Sequence, residues 1–119
     1  MSRSWRLFLE DIVEASNRIL RYSEAKDLPA FCADEMAYDA VLRNLQIVGE
    51  AAKAVPADVR QEHPEVDWKG MAGLRDVLAH AYFGLDDETL WDVVTTKIPE
   101  LRDQIRRILD ERPDSPSQS

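Results

Sequence analysis

The amino-acid sequence predicts an all-α protein, an up-and-down bundle of four to five helices, and three observations carry that expectation. Apolar residues recur at steps of three and four along most of the chain. Breaks rich in Pro, Gly and Asp separate these periodic runs. No segment alternates apolar and polar residues with the period of two that a half-buried strand requires.

The first run places Trp5, Phe8, Ile12, Ala15, Ile19 and Tyr22 on one side, with Glu10, Glu14, Asn17, Arg21 and Glu24 opposite. That is an amphipathic helix over residues 4–23. Lys26, Asp27, Leu28 and Pro29 interrupt it, and Asp34 then offers a cap for a second long run. There Val41, Leu45, Val48, Ala52 and Val55 face inward, while Asp39, Arg43, Gln46, Glu50 and Lys53 face outward. Gly49, in mid-helix at about 1 kcal/mol relative to Ala, marks close helix packing. Residues 56–67 hold two prolines and little periodicity, which predicts a loop with one short turn at most, anchored by Trp68. His63 in that loop reads as a solvated residue, and Cys32 as a small buried hydrophobe rather than a nucleophile. Met71, Leu74, Leu78 and Ala81 step through residues 69–83, with Gly84 as a C-terminal stop. Asp86 or Asp87 caps a last run carrying Leu90, Trp91, Val94, Ile98, Leu101, Ile105 and Ile108. Pro99 lies inside that run, where its ring would meet the carbonyl four residues back, so a kink or a junction of two helices is expected there. The segment from Pro113 has no apolar residue, so the domain is read as residues 1–112 followed by a disordered tail, 113–119.

A length of 119 residues suits one domain, and 45% apolar with 32% charged residues is globular composition. Fifteen Lys and Arg against twenty-three Asp and Glu give a net charge of −8, which disfavours broad gripping of a nucleic-acid backbone. DNA and membrane are not expected as partners. The single cysteine excludes an intramolecular disulfide and suits a reducing cytoplasm. The N-terminal stretch meets acid at Glu10, too soon for the apolar core of a signal peptide. No cofactor is expected: the two histidines lack zinc-binding spacing and no glycine-rich phosphate loop is present.

Reactive residues gather against an apolar pattern once, in Leu74-Arg75-Asp76-Val77-Leu78-Ala79-His80-Ala81-Tyr82. Arg75 and Tyr82, seven apart, fall within about 20° of each other on a helix, and Asp76 and His80, four apart, are also neighbours. A carboxylate one turn before an imidazole can accept its ring N–H and set its tautomer. An Arg within reach can stabilise the charge of a phosphoryl transition state. The same residues also fit a partly buried network of helix salt bridges, with Tyr82 as a core or interface aromatic.

The pattern Arg75-x4-His80-x-Tyr82 resembles the signature of the HEPN superfamily, and in particular the HepT-like toxins of bacterial and archaeal toxin–antitoxin pairs. The resemblance runs over roughly residues 7–108 and includes the stretch 40–53, Trp68-Lys69-Gly70-Met71, Tyr82-Phe83-Gly84, Leu90-Trp91 and Ile98-Pro99-Glu100-Leu101. Asp76 departs from it, since Asn commonly follows the Arg. The resemblance implies a homodimer joined through the motif helix, and a metal-independent endoribonuclease in which the 2′-hydroxyl of the RNA attacks the adjacent phosphorus. Arg75 and His80 would then be catalytic and Asp76 supporting. It further implies that a minimal nucleotidyltransferase antitoxin silences the toxin by transferring AMP to Tyr82. A helical dimer that only docks such a transferase is the alternative reading, and a purely structural dimer a third.

Overall fold

The computed structural model describes residues 4–82 and 86–111, without the side chains of His80 and Tyr82. Among the described residues the fold is all-α, as expected, with no strand. Helix α1 spans Trp5–Ser23 and α3 spans Glu35–Ala54; the short α2, Leu28–Ala33, turns the chain between them. Helices α4, Ala57–Glu62, and α5, Trp68–Ala72, lead into α6, Leu74–Tyr82. Helix α7, Asp87–Asp92, runs through a π-helical turn, Val93–Lys97, into α8, Ile98–Glu111. The long frame of α1, α3, α6 and the α7–α8 arm matches the expected bundle, and α2, α4 and α5 fill its connections.

Aspartates cap four of these helices, α2, α3, α5 and α7. Asp27 Oδ1 accepts from Ala30 N at 2.9 Å, Asp34 Oδ1 from Ala37 N at 3.1 Å, Asp67 Oδ1 from Gly70 N at 2.9 Å and Asp86 Oδ1 from Thr89 N at 2.9 Å. Each satisfies an amide that the helix itself leaves unpaired and sets negative charge at the positive end of the helix dipole. Of the two candidate caps before the last run, Asp86 is therefore the one used.

The core lies where α1 crosses α3, with α8 against the other flank of α1 and with α5 and α6 against α3. Leu9, Ile12 and Ile19 of α1, Val41, Leu45 and Val48 of α3, and Ile105 of α8 are fully buried. Each such side chain contributes about 1.5–3 kcal/mol relative to an exposed one. On α1 the buried stripe differs from the expected one: Tyr22 is 38% exposed, and Ser23 lies inside. Ser23 tolerates burial because its hydroxyl donates to the Ile19 carbonyl at 2.9 Å.

Three further expectations are corrected. His63 is buried, not solvated. Its carbonyl accepts the Trp68 indole N–H at 2.9 Å, so the anchoring tryptophan folds the loop over the histidine. The run 69–83 is two helices, because the chain leaves helical geometry at Gly73, whose ψ is −1° and whose N–H bonds back to the Lys69 carbonyl. Cys32 is only half-buried, packed at the margin of the core. At Pro99 the expected disturbance takes the form of the π-turn: Ile98 N–H bonds to the Val93 carbonyl, five residues back, one residue before the proline. Phe83, the Gly84 stop and the tail 113–119 lie outside the described residues.

Gly49 does mark a close approach. A Cβ there would stand 3.2 Å from the Met71 carbonyl oxygen and 3.8 Å from Leu74 Cβ. The opposite case is Ala25, just past α1, which holds φ at 60° although it carries a Cβ. The left-handed region disfavours a Cβ by about 1–2 kcal/mol, offset in part by the larger unfolded-state entropy of glycine. Ala25→Gly is accordingly expected to stabilise the fold by about 0.5–1 kcal/mol, read as a higher urea midpoint at unchanged slope.

Candidate functional site on helix α6

Helix α6 has nine residues and two unlike sides. Leu74 and Ala81 are buried, and Val77 and Leu78 are half-buried against the core. Arg75, Asp76 and Ala79 are exposed. The split follows from the sequence: positions 74, 77, 78 and 81 form one helical stripe, and 75, 76 and 79 fall on the opposite arc. The backbone sets His80 one turn after Asp76 and Tyr82 two turns after Arg75.

Among the described residues neither Arg75 nor Asp76 takes an ion-pair partner. Arg75 and Asp76 are exposed rather than partly buried; whether Asp76 pairs with His80, as their spacing allows, lies outside the described residues. Two charged groups held in solvent on a small helix, beside an exposed alanine, form a polar strip that can receive an anionic ligand or a second protein surface. Leu74 and Val77 line a cavity of about 320 Å³ together with Met71, Val93, Lys97 and Ile98. On the other side, Leu78 borders an open groove along α3 with Asp39, Arg43, Gln46, Ile47 and Glu50. The strip is thus a ridge between two depressions. Among the described residues no three His, Cys, Asp or Glu side chains group so as to hold a metal ion.

One contact at the end of α6 is not legible in the local spacing of the motif. The Tyr38 hydroxyl, on α3, donates to Asp87 Oδ1 at 2.7 Å, and the Ala81 carbonyl oxygen lies 3.2 Å from the same hydroxyl. Burial, then the hydrogen bond and charge of Asp87, hold the Tyr38 phenol above its ordinary range. Burial and the same carboxylate also push the Cys32 thiol up. The signal in the sequence is a single tyrosine near the start of α3, half-buried beside the core and 43 residues from Ala81.

Exposed, and without an ion-pair partner among the described residues, Arg75 and Asp76 contribute little to folding. Arg75→Ala and Asp76→Ala are each expected to keep stability within about 0.5 kcal/mol of the unsubstituted chain in urea titration.

Comparison with known proteins places the chain. A family model described as Ribonuclease HepT-like matches residues 12–108, which contain all of α6. The chain is 41% identical over 108 residues to the protein named "Probable ribonuclease HepT" of Thermococcus cleftensis, covering 91% of this chain and 98% of that one. It is 40% identical over 104 residues to a Methanocaldococcus jannaschii protein named "Putative RNase", covering 87% and 86% of the two chains. A Caldanaerobacter subterraneus protein with that same description is 36% identical over 104 residues, covering 87% of this chain and 93% of the relative. No solved structure matches significantly. With α6 and its polar strip inside the matched region, and the match extending over nearly the whole length of these relatives, the chain belongs to the HepT-like ribonuclease family.

Proposed function

We propose that this chain is the toxin of a toxin–antitoxin pair, a metal-independent endoribonuclease acting in the cytoplasm as a homodimer joined through α6. The observation that carries the reading is the exposed Arg75–Asp76 strip on a helix within the matched ribonuclease region. The small Ala79 at the centre of that strip allows a second copy of α6 to approach closely. Two strips facing each other would set two Arg75 side chains at one cleft, a local positive site on a protein whose net charge is −8.

Cleavage then follows from the substrate's own chemistry. The 2′-oxygen of the RNA bonds to the adjacent phosphorus, its proton leaves to a base, and the bond to the 5′-oxygen of the next nucleotide breaks as that oxygen takes up a proton. The products are a 2′,3′-cyclic phosphate and a 5′-hydroxyl. His80 serves the proton transfers, Arg75 stabilises the charge that builds on the phosphorane oxygens, and Asp76 orients or polarises. Because the nucleophile belongs to the RNA, this scheme uses no metal to generate one. Asp76 in place of the more common Asn changes the local charge and hydrogen bonding of the strip, while a small Arg75 cleft on a body of net charge −8 favours weak, salt-sensitive RNA affinity and cleavage in exposed loops or ends.

Tyr82 is the proposed control point. AMP transferred to its hydroxyl by a partner nucleotidyltransferase adds bulk and a negative phosphate near Arg75, and both oppose RNA entry.

Arg75→Ala and His80→Ala are each expected to lower RNA cleavage by about 10²–10⁴-fold while the dimer persists in sedimentation. Full cleavage by a folded His80→Ala protein would remove His80 from the mechanism, and absent cleavage with tight transferase binding would favour a docking module. Co-expression with a minimal nucleotidyltransferase should add AMP-sized mass increments that vanish in Tyr82→Phe; increments that survive would move the acceptor elsewhere.

A further inference from the structure

We propose that Tyr38 is a positioning residue for the α6 motif: through its hydroxyl it ties the carboxyl end of α6 to the first residue of α7 and so fixes the backbone that carries His80 and Tyr82. The tie rests on two contacts to one oxygen. The hydroxyl donates to Asp87 Oδ1 at 2.7 Å, and the Ala81 carbonyl, 3.2 Å away, is placed to share the same hydrogen. Ala81 lies between the two motif residues His80 and Tyr82. Its carbonyl is one of the last four of α6, which an isolated helix leaves without an amide partner, so a side-chain donor there secures the final turn.

The oxygen itself is held by ring packing. The Tyr38 ring stacks at 5.3 Å on fully buried Phe31, and Phe31 meets Trp91 of α7 at 5.0 Å. Asp87 and Trp91 are four residues apart, on one face of α7, so that face is held twice, once by a hydrogen bond and once by a ring. The burial that raises the phenol keeps it protonated over the ordinary pH range, and a protonated hydroxyl is what the tie needs.

The catalytic consequence rests on the ribonuclease reading above, whereas the tie itself does not, and the test separates the two. Tyr38→Phe keeps the ring against Phe31 and removes only the donor. Hydrogen exchange of backbone amides at 79–82 and 87–90 is expected to quicken by about tenfold, with the core of α1 and α3 unchanged. RNA cleavage by the variant is expected to lose about tenfold or more in kcat at unchanged KM, since a misplaced catalytic group weakens the reacting geometry rather than RNA binding. Asp87→Asn retains an acceptor oxygen and should stay near the parent in both measurements. Asp87→Ala should behave like Tyr38→Phe, and the double variant should be no worse than either single one. Unchanged exchange in Tyr38→Phe overturns the tie. Faster exchange with unchanged kcat overturns its positioning role. An inactive parent protein overturns the ribonuclease reading and its catalytic consequence, while the exchange comparison still decides the tie.

Discussion

The placement of α6 depends on α3 being apolar on two faces. One face meets α1 through Val41, Leu45 and Val48; the other receives α5 and α6. The second face makes its close approach at Gly49, where a Cβ would crowd the Met71 carbonyl oxygen at 3.2 Å. A larger residue there would push against main chain, which yields less readily than a flexible side chain, and the displacement would pass directly to Leu74 and the start of α6. The polar strip is therefore located by close backbone packing behind it, and contributes almost nothing to holding itself in place. Such a division leaves the outward residues free to be chosen for chemistry.

Much of this was legible in the sequence, because the determinants are local. The long periodic runs define α1, α3 and α8, and aspartates one residue ahead of a run act as its caps at Asp34 and Asp86. The motif residues fall on one helix, α6, as the apolar period around them indicates. What the sequence did not disclose depends on contacts distant along the chain. His63 looks solvated beside Glu62 and Pro64, and only the Trp68 indole bonding to its carbonyl shows it buried. Tyr22 looks apolar enough for the core, yet Ser23 replaces it because a back-bonded hydroxyl leaves little polar group unsatisfied. Gly73 divides one apolar run without disturbing its period, so the division leaves no trace in hydropathy. Tyr38 reaches Asp87 across a separation that no local pattern reports.

The acidic balance also changes meaning once the helices are in place. Asp27, Asp34, Asp67 and Asp86 are occupied at helix N-termini, where their charge meets backbone dipoles. Part of the net charge is thus a consequence of building many short helices from a chain with few serines and threonines at the starts. The guanidinium of Arg75 and the carboxylate of Asp76 are both exposed on α6.

The π-turn bears on how this chain can change length. A π-turn is geometrically an α-helix with one residue inserted, and the flanking segments keep the faces they had before the insertion. Here Leu90 on one side, and Ile98, Leu101, Ile105 and Ile108 on the other, all remain buried. Deleting one residue between 93 and 97 would restore a continuous α-helix without turning either apolar stripe out of the core. It would also bring the Pro99 ring against the carbonyl one turn before it. The extra residue and the proline are therefore coupled, and the middle of a helix becomes a place where insertions and deletions are tolerated in step with a single substitution.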